Sequence, residues 1–152
     1  TPESWSALGD VNELRAAYEG FHPQVQMVLN ACPSCHKWAI LEREPLPRWS
    51  DGRIALLGDA CHPMTPYMAQ GAATAMEDAV VLARCFAKVG NDGIPAAFQR
   101  YEANRKPRTS KIQEISSANT WMSGGNDDPT WLYGYDAWTV PLADAPDVAM
   151  TK

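Results

Sequence analysis

Three observations predict an α/β chain rich in helix. Ile54-Ala55-Leu56-Leu57 is a short unbroken apolar run between polar Arg53 and Gly58, as expected of a strand covered on both faces. After a loop broken by Pro63 and Pro66, the residues Ala72, Ala75, Met76, Ala79, Leu82, Ala83 and Phe86 recur at helical spacing, with Glu77, Arg84 and Lys88 on another face. A second long helical pattern starts at Ile94-Pro95. The stretch 53–90 therefore organises the chain as strand, ligand-facing turn and helix, with Gly90 as the expected stop.

Taken in order, residues 1–9 read as the end of a strand and a loop. Asp10 is a suitable N-cap for a helix over 11–18, in which Val11, Leu14, Ala17 and Tyr18 share a face. Gly20 to Pro23 interrupts it, and Pro23 opens a second helix running to about Ala31. Trp38, Ile40 and Glu42 alternate with Ala39 and Leu41, which predicts a strand partly covered on both faces. Glu44-Pro45-Leu46-Pro47 is a rigid connector, and the Ser50-Asp51-Gly52 turn leads into the central strand. In the later helix Ala97, Phe98, Tyr101 and Arg105 line one side, Pro107 should kink or break it, and Ile112, Ile115, Ala118 and Met122 continue the period beyond. Arg and Lys at such spacing also suit a merely solvated face. Trp131, Tyr133, Tyr135 and Trp138 crowd a short segment and should dock on the body of the protein or on a partner, whereas residues 141–152 should fray. The expected division is 1–50, 51–122 and an aromatic-rich tail at 123–152.

Composition narrows the function classes. A net charge of −5 without a basic block argues against nucleic acid as a partner. Neither a run of about 18 apolar residues nor a signal-peptide pattern occurs, which points away from a membrane span and secretion and toward a cytoplasmic protein. The chain opens at Thr1 without an initiator Met, as a fragment or processed product would. Cys32-Pro33-Ser34-Cys35-His36 satisfies the C-x-x-C-H pattern of haem attachment, but only isolated Met residues offer a second axial ligand. Zinc would need two further ligands, for which Cys61-His62 would have to fold onto that turn. Reduced cysteines without a metal are the default expectation.

The turn carries the chemistry. Gly58 lets backbone approach a ligand, and Asp59 at the end of an apolar strand requires a hydrogen-bonding partner. Gln70-Gly71-Ala72-Ala73 starts a helix with residues so small that its unpaired N–H groups stay accessible, which suits an anion or an electron-rich ring oxygen. His62 could move protons near neutral pH, with a packed His-Pro turn as the alternative.

Gly58-Asp59-Ala60, His62-Pro63, Pro66, Gln70-Gly71-Ala72 and Glu77-Asp78-Ala79 together resemble the second flavin signature of single-component, FAD-dependent aromatic-ring monooxygenases, in their salicylate-hydroxylase-like branch. The resemblance implies the C-terminal portion of a Rossmann-like FAD-binding fold whose dinucleotide-binding part is missing. It implies that Asp59 binds ribityl hydroxyls and that Pro66, Gln70, Gly71 and Ala72 line the isoalloxazine. Ala69 stands where the family usually has glycine, and Ala73 where it often has asparagine. Tyr101-Glu102, Arg105, Pro107 and Arg108 resemble the family's C-terminal helix.

Tyr18-Glu19-Gly20-Phe21-His22-Pro23, Pro45-Leu46-Pro47, Trp49-Ser50, Ala118-Asn119-Thr120-Trp121 and Tyr133-Gly134-Tyr135-Asp136 are similar to members that act on 6-hydroxynicotinate. That similarity implies a small aromatic acid as substrate, hydroxylated with loss of its carboxylate to 2,5-dihydroxypyridine, using FAD, NADH and dioxygen. Tyr67 occupies a place where those members carry histidine and could hydrogen-bond the substrate, or simply pack at the rim. No G-x-G-x-x-G occurs to hold a pyrophosphate, so the chain alone is expected to bind FAD weakly and to be inactive. Apolar surface bared by truncation would favour homo-oligomers. A non-enzymatic helical binding module remains the alternative class.

Overall fold

The computed structural model describes residues 4, 6–119 and 128–144, so the expectations placed on Thr120, Trp121, Met122 and the last eight residues lie outside the described residues. The chain divides into two compact units, residues 1–40 and 41–152.

In the first unit β1 (Leu8–Gly9) pairs antiparallel with β2 (Cys35–His36), Leu8 opposite His36. Between them lie α1 (Val11–Ala17) and α2 (Pro23–Ala31). The Asp10 side chain accepts from the Asn12 N–H at 2.7 Å, the N-cap its position suggested. Arg15 closes the far end of α2, donating to the carbonyls of Leu29, Asn30 and Cys32 and so satisfying groups that a helix end leaves open. The strand expected over 38–42 does not form. Trp38, Ile40 and Leu41 are exposed, and a strand without a paired neighbour leaves its backbone groups to water.

The second unit opens with a hairpin, β3 (Ser50–Asp51) against β4 (Ile54–Ala55), turned at Gly52 with φ +56°. The central strand is thus two residues long and not covered on both faces: Ile54 is 71% exposed and Leu57 is also exposed. Only β3 pairs with it among the described residues. Two 3-10 turns follow, Gly58–Ala60 and Pro66–Met68, then α3 (Gly71–Phe86), a further 3-10 turn Asn91–Gly93, α4 (Ile94–Ala118) and the short α5 (Thr130–Tyr133). α3 stops before Gly90; the left-handed residue near its end is Lys88, at φ +67°. Pro107 neither breaks nor ends α4, which runs 25 residues through it. A proline inside a helix costs roughly 3 kcal/mol, and here Arg105 and Arg108 pin the helix on either side.

α3 packs along α4. Trp49, Cys61, Val81, Cys85, Tyr101 and Ala137 form the core between them, and Met68, Ile112 and Leu132 form a smaller cluster. Of the tail aromatics, Trp131 and Tyr135 dock against cationic side chains, whereas Tyr133 and Trp138 are 63% and 69% exposed. No helix among the described residues is long and apolar enough to cross a membrane.

Candidate functional site

The turn after the hairpin and the start of α3 line an open cavity of about 710 Å³. Its walls include Gly58, Asp59, Pro66, Gly71 and Ala72. Gly58 is at φ +59°, a conformation that L side chains rarely adopt, and a Cβ there would press to 3.2 Å from the Ala75 methyl. Asp59 follows with its carboxylate exposed, and a Cβ on Gly71 would stand 3.8 Å from Asp59 Oδ1. The carboxylate therefore faces the first turn of α3.

That helix end is open for hydrogen bonding. Gln70 is the N-cap but makes no side-chain cap bond, and the first backbone bond of the helix runs from Thr74 N–H to Gln70 C=O at 2.9 Å. The N–H groups of Gly71, Ala72 and Ala73 precede it and have no intrahelical acceptor. Donors at a helix N-terminus and an acceptor carboxylate across from them suit a ligand carrying both carbonyl oxygens and hydroxyls.

The other expected residues lie elsewhere. Gln70 is buried and donates from Nε2 to the Met68 carbonyl at 3.3 Å, and Ala73 is half-buried off the cavity wall. Tyr67 is 45% exposed beside Pro66 and does not line the cavity. His62 is fully buried behind the turn rather than facing the cavity, and it does have a carboxylate partner: its Nε2 stands 2.5 Å from Asp78 Oδ2. Sequence spacing hid that pair, because sixteen residues and a change of element separate the two.

Asp78 is the hub of a buried polar network that sequence reasoning missed. Its Oδ2 also accepts the Gly58 N–H at 3.2 Å, and its Oδ1 accepts Arg105 Nε at 2.7 Å. Burial raises the Asp78 carboxyl, but bonds from His62 and Arg105 and the Arg105 charge outweigh it and hold the group below the ordinary carboxylate value. An ionised carboxylate only accepts, so His62 Nε2 carries the hydrogen. Arg105 reaches Glu77 as well, at 2.7 Å, and Arg108 grips both Glu77 oxygens at 2.9 Å while donating to the carbonyls of Trp131 and Leu132. Both guanidinium groups lie over the Tyr135 ring. Arg105 is thus wholly buried, not part of a solvated face; the Glu77-Asp78 and Arg105/Arg108 pairs in the quoted motifs were the available signal.

Cys61, His62 and Asp78 also place three possible metal ligands within 4.8 Å. The donor set does not suit a cation. Asp78 is already occupied by three N–H donors, and burial with the nearby Asp78 charge pushes the Cys61 thiol up to about 12.

Comparison with known proteins gives the family. The family described as FAD binding domain matches residues 28–116. A 6-hydroxynicotinate 3-monooxygenase of Pseudomonas fluorescens is 54% identical over 132 residues, covering 87% of this chain and 34% of that protein. A salicylate hydroxylase substrate complex superposes with a TM-score of 0.77 at 27% identity, over 90% of this chain and 37% of that one. Klebsiella pneumoniae HpxO complexed with FAD and uric acid superposes with a TM-score of 0.63 at 34% identity, over 83% of this chain and 33% of that one. The chain spans about a third of the length of these relatives. With more than half of its residues matched, and the cavity built from the matched stretch, the chain belongs to the FAD binding domain family.

Proposed function

We propose that this chain works as the flavin-facing part of an aromatic-ring monooxygenase acting on 6-hydroxynicotinate, with NADH as reductant. The observation that carries the reading is the cavity in which the Asp59 carboxylate faces the open N–H groups of α3 across Gly71. FAD fits that donor and acceptor set: Asp59 would take ribityl hydroxyls, and the amides of Gly71 and Ala72 would take a ring carbonyl. When bound, the flavin supplies the oxygen-activating chemistry.

The chain's own contribution is position and dryness. Pro66 and the alanines of the turn leave room for a flat ring, because they offer little side chain to fill the cavity. The exposed Tyr67 phenol, next to Pro66, is the group we assign to the substrate, as hydrogen-bond partner of its ring oxygen or nitrogen. His62 is not assigned a proton-transfer role, since it is fully buried against Asp78. The pyrophosphate falls to another part of the complete protein, because no glycine-rich fingerprint occurs in this sequence.

Two measurements test the reading. Titrating the purified 152-residue chain with FAD should show weak binding, and tight saturable binding would refute the division of labour. The complete protein should be yellow and turn over 6-hydroxynicotinate with NADH, and Asp59→Ala should lose its flavin. The likeness to a salicylate hydroxylase favours a second reading, in which salicylate is the substrate; turnover of salicylate in preference to 6-hydroxynicotinate would select it.

A further inference from the structure

We infer that Asp78, held by His62 and Arg105, is a positioning residue that sets the Asp59 carboxylate against the helix amides of the flavin cavity; the inference rests on the reading of that cavity as a flavin site. Gly58 is clamped through both sides of its backbone. Its N–H donates to Asp78 Oδ2 at 3.2 Å, and its carbonyl accepts the N–H groups of Cys61 and His62 at 3.0 Å and the Cys61 thiol at 3.3 Å. Asp59 is the next residue, so its direction follows from how Gly58 is held.

Asp78 reaches Gly58 from the helix whose N-terminus forms the opposite wall. Seven residues, about two helical turns, separate Gly71 from Asp78. One carboxylate therefore joins the acceptor side of the cavity to its donor side and fixes the gap between them. His62 and Arg105 keep that carboxylate in place: Nε2 of His62 holds the same oxygen that takes the Gly58 N–H, and Arg105 Nε holds the other. All three side chains are fully buried and none lines the cavity, so none can bind the ligand directly.

The test is made on the complete flavoprotein, with variants shown to be folded by circular dichroism. His62→Ala frees one side of Asp78 Oδ2, and we expect about tenfold weaker FAD binding, the scale of one buried bond to a charged group. His62→Gln retains a side-chain N–H donor and should recover most of that loss. Asp78→Asn should weaken FAD at least as much and shift the visible band of the remaining bound flavin toward that of free FAD. A purely structural role would lower the unfolding midpoint yet leave FAD affinity and spectrum of the folded protein unchanged, and that result in His62→Ala overturns the inference. Unchanged FAD affinity in Asp59→Ala would instead overturn the flavin-site reading itself. If Asp78→Asn does not fold, the His62→Ala and His62→Gln pair still decides.

Discussion

The first turn of α3 and its middle solve opposite problems. At its start, Gly71 and Ala72 leave backbone bare beside Gly58 and Asp59, and the useful chemistry comes from side chains that are not there. A turn or two later the same helix carries Glu77 and Asp78 into a buried cluster with His62, Arg105 and Arg108, where every carboxylate oxygen has a partner. An open face built largely from backbone has few side chains with which to brace itself. On the inference drawn above, such a face is held from behind, and the two regions should respond to mutation in opposite ways.

The largest expected effect is on the braced middle of the helix. Arg105→Ala leaves Asp78 and part of Glu77 buried without their cation, and removing one partner of a buried pair costs about 3–5 kcal/mol. Urea unfolding should show that loss, whereas Asp59→Ala, at an exposed position, should stay within about 0.5 kcal/mol of the parent. Equal losses at the two positions would erase the distinction between brace and face.

Changing pH probes the buried side without mutation. The Asp78 carboxyl binds its proton less readily folded than unfolded, so the stability it contributes is complete above pH about 4 and is lost as pH falls through its lower folded value. Cys61 runs the other way: raised from 9.0 to about 12, its thiol contributes stability that is complete below pH 9 and is lost as pH rises toward 12. Unfolding free energy measured across pH should therefore fall at both extremes. Cys61→Ala should remove part of the alkaline loss, while Tyr101, whose phenol burial also raises, keeps the rest.

These responses could not have been assigned from the sequence, and the reason is physical. Local period and capping declared α1, α2 and α3, since Asp10, Pro23 and the apolar face of α3 act within a few residues of themselves. The gathering of Gly58, Asp59, Gly71 and Ala72 around one cavity was legible too, because close approach of backbone leaves its trace in glycine and alanine. What stayed hidden depends on distant partners. Trp38 to Glu42 alternates like a strand, but a strand exists only where another pairs with it. Arg105 looks like any surface arginine until the two helices pack, and His62 looks unpaired until Asp78 swings in from α3.

A change at Gly71 should touch the face alone. Its added methyl would stand 3.8 Å from Asp59 Oδ1, an ordinary contact, so Gly71→Ala should fold with stability within about 0.5 kcal/mol of the parent. Gly71→Leu would extend into the space between Asp59 and the helix amides. About tenfold weaker FAD binding, or more, is expected in the complete protein, with little change in its unfolding midpoint. A leucine variant that binds FAD normally would mean the ligand does not pass between those walls.

The smallest effect concerns the backbone of the face itself. Ala69 ends the Pro66–Met68 turn at φ +52°, where a Cβ crowds the following carbonyl and glycine would not. The gain from relieving that crowding exceeds the extra entropy a glycine adds to the unfolded chain, so Ala69→Gly should stabilise by roughly 0.5–1 kcal/mol. Lys88, at φ +67° beyond the far end of α3, is strained in the same sense, and Lys88→Gly should give a gain of similar size. The two substitutions then divide on ligand binding, since only Ala69 borders the cavity. Equal stabilisation accompanied by a change in FAD affinity at Ala69 alone would show that backbone strain is spread along the unit while ligand response is confined to the unbraced end of α3.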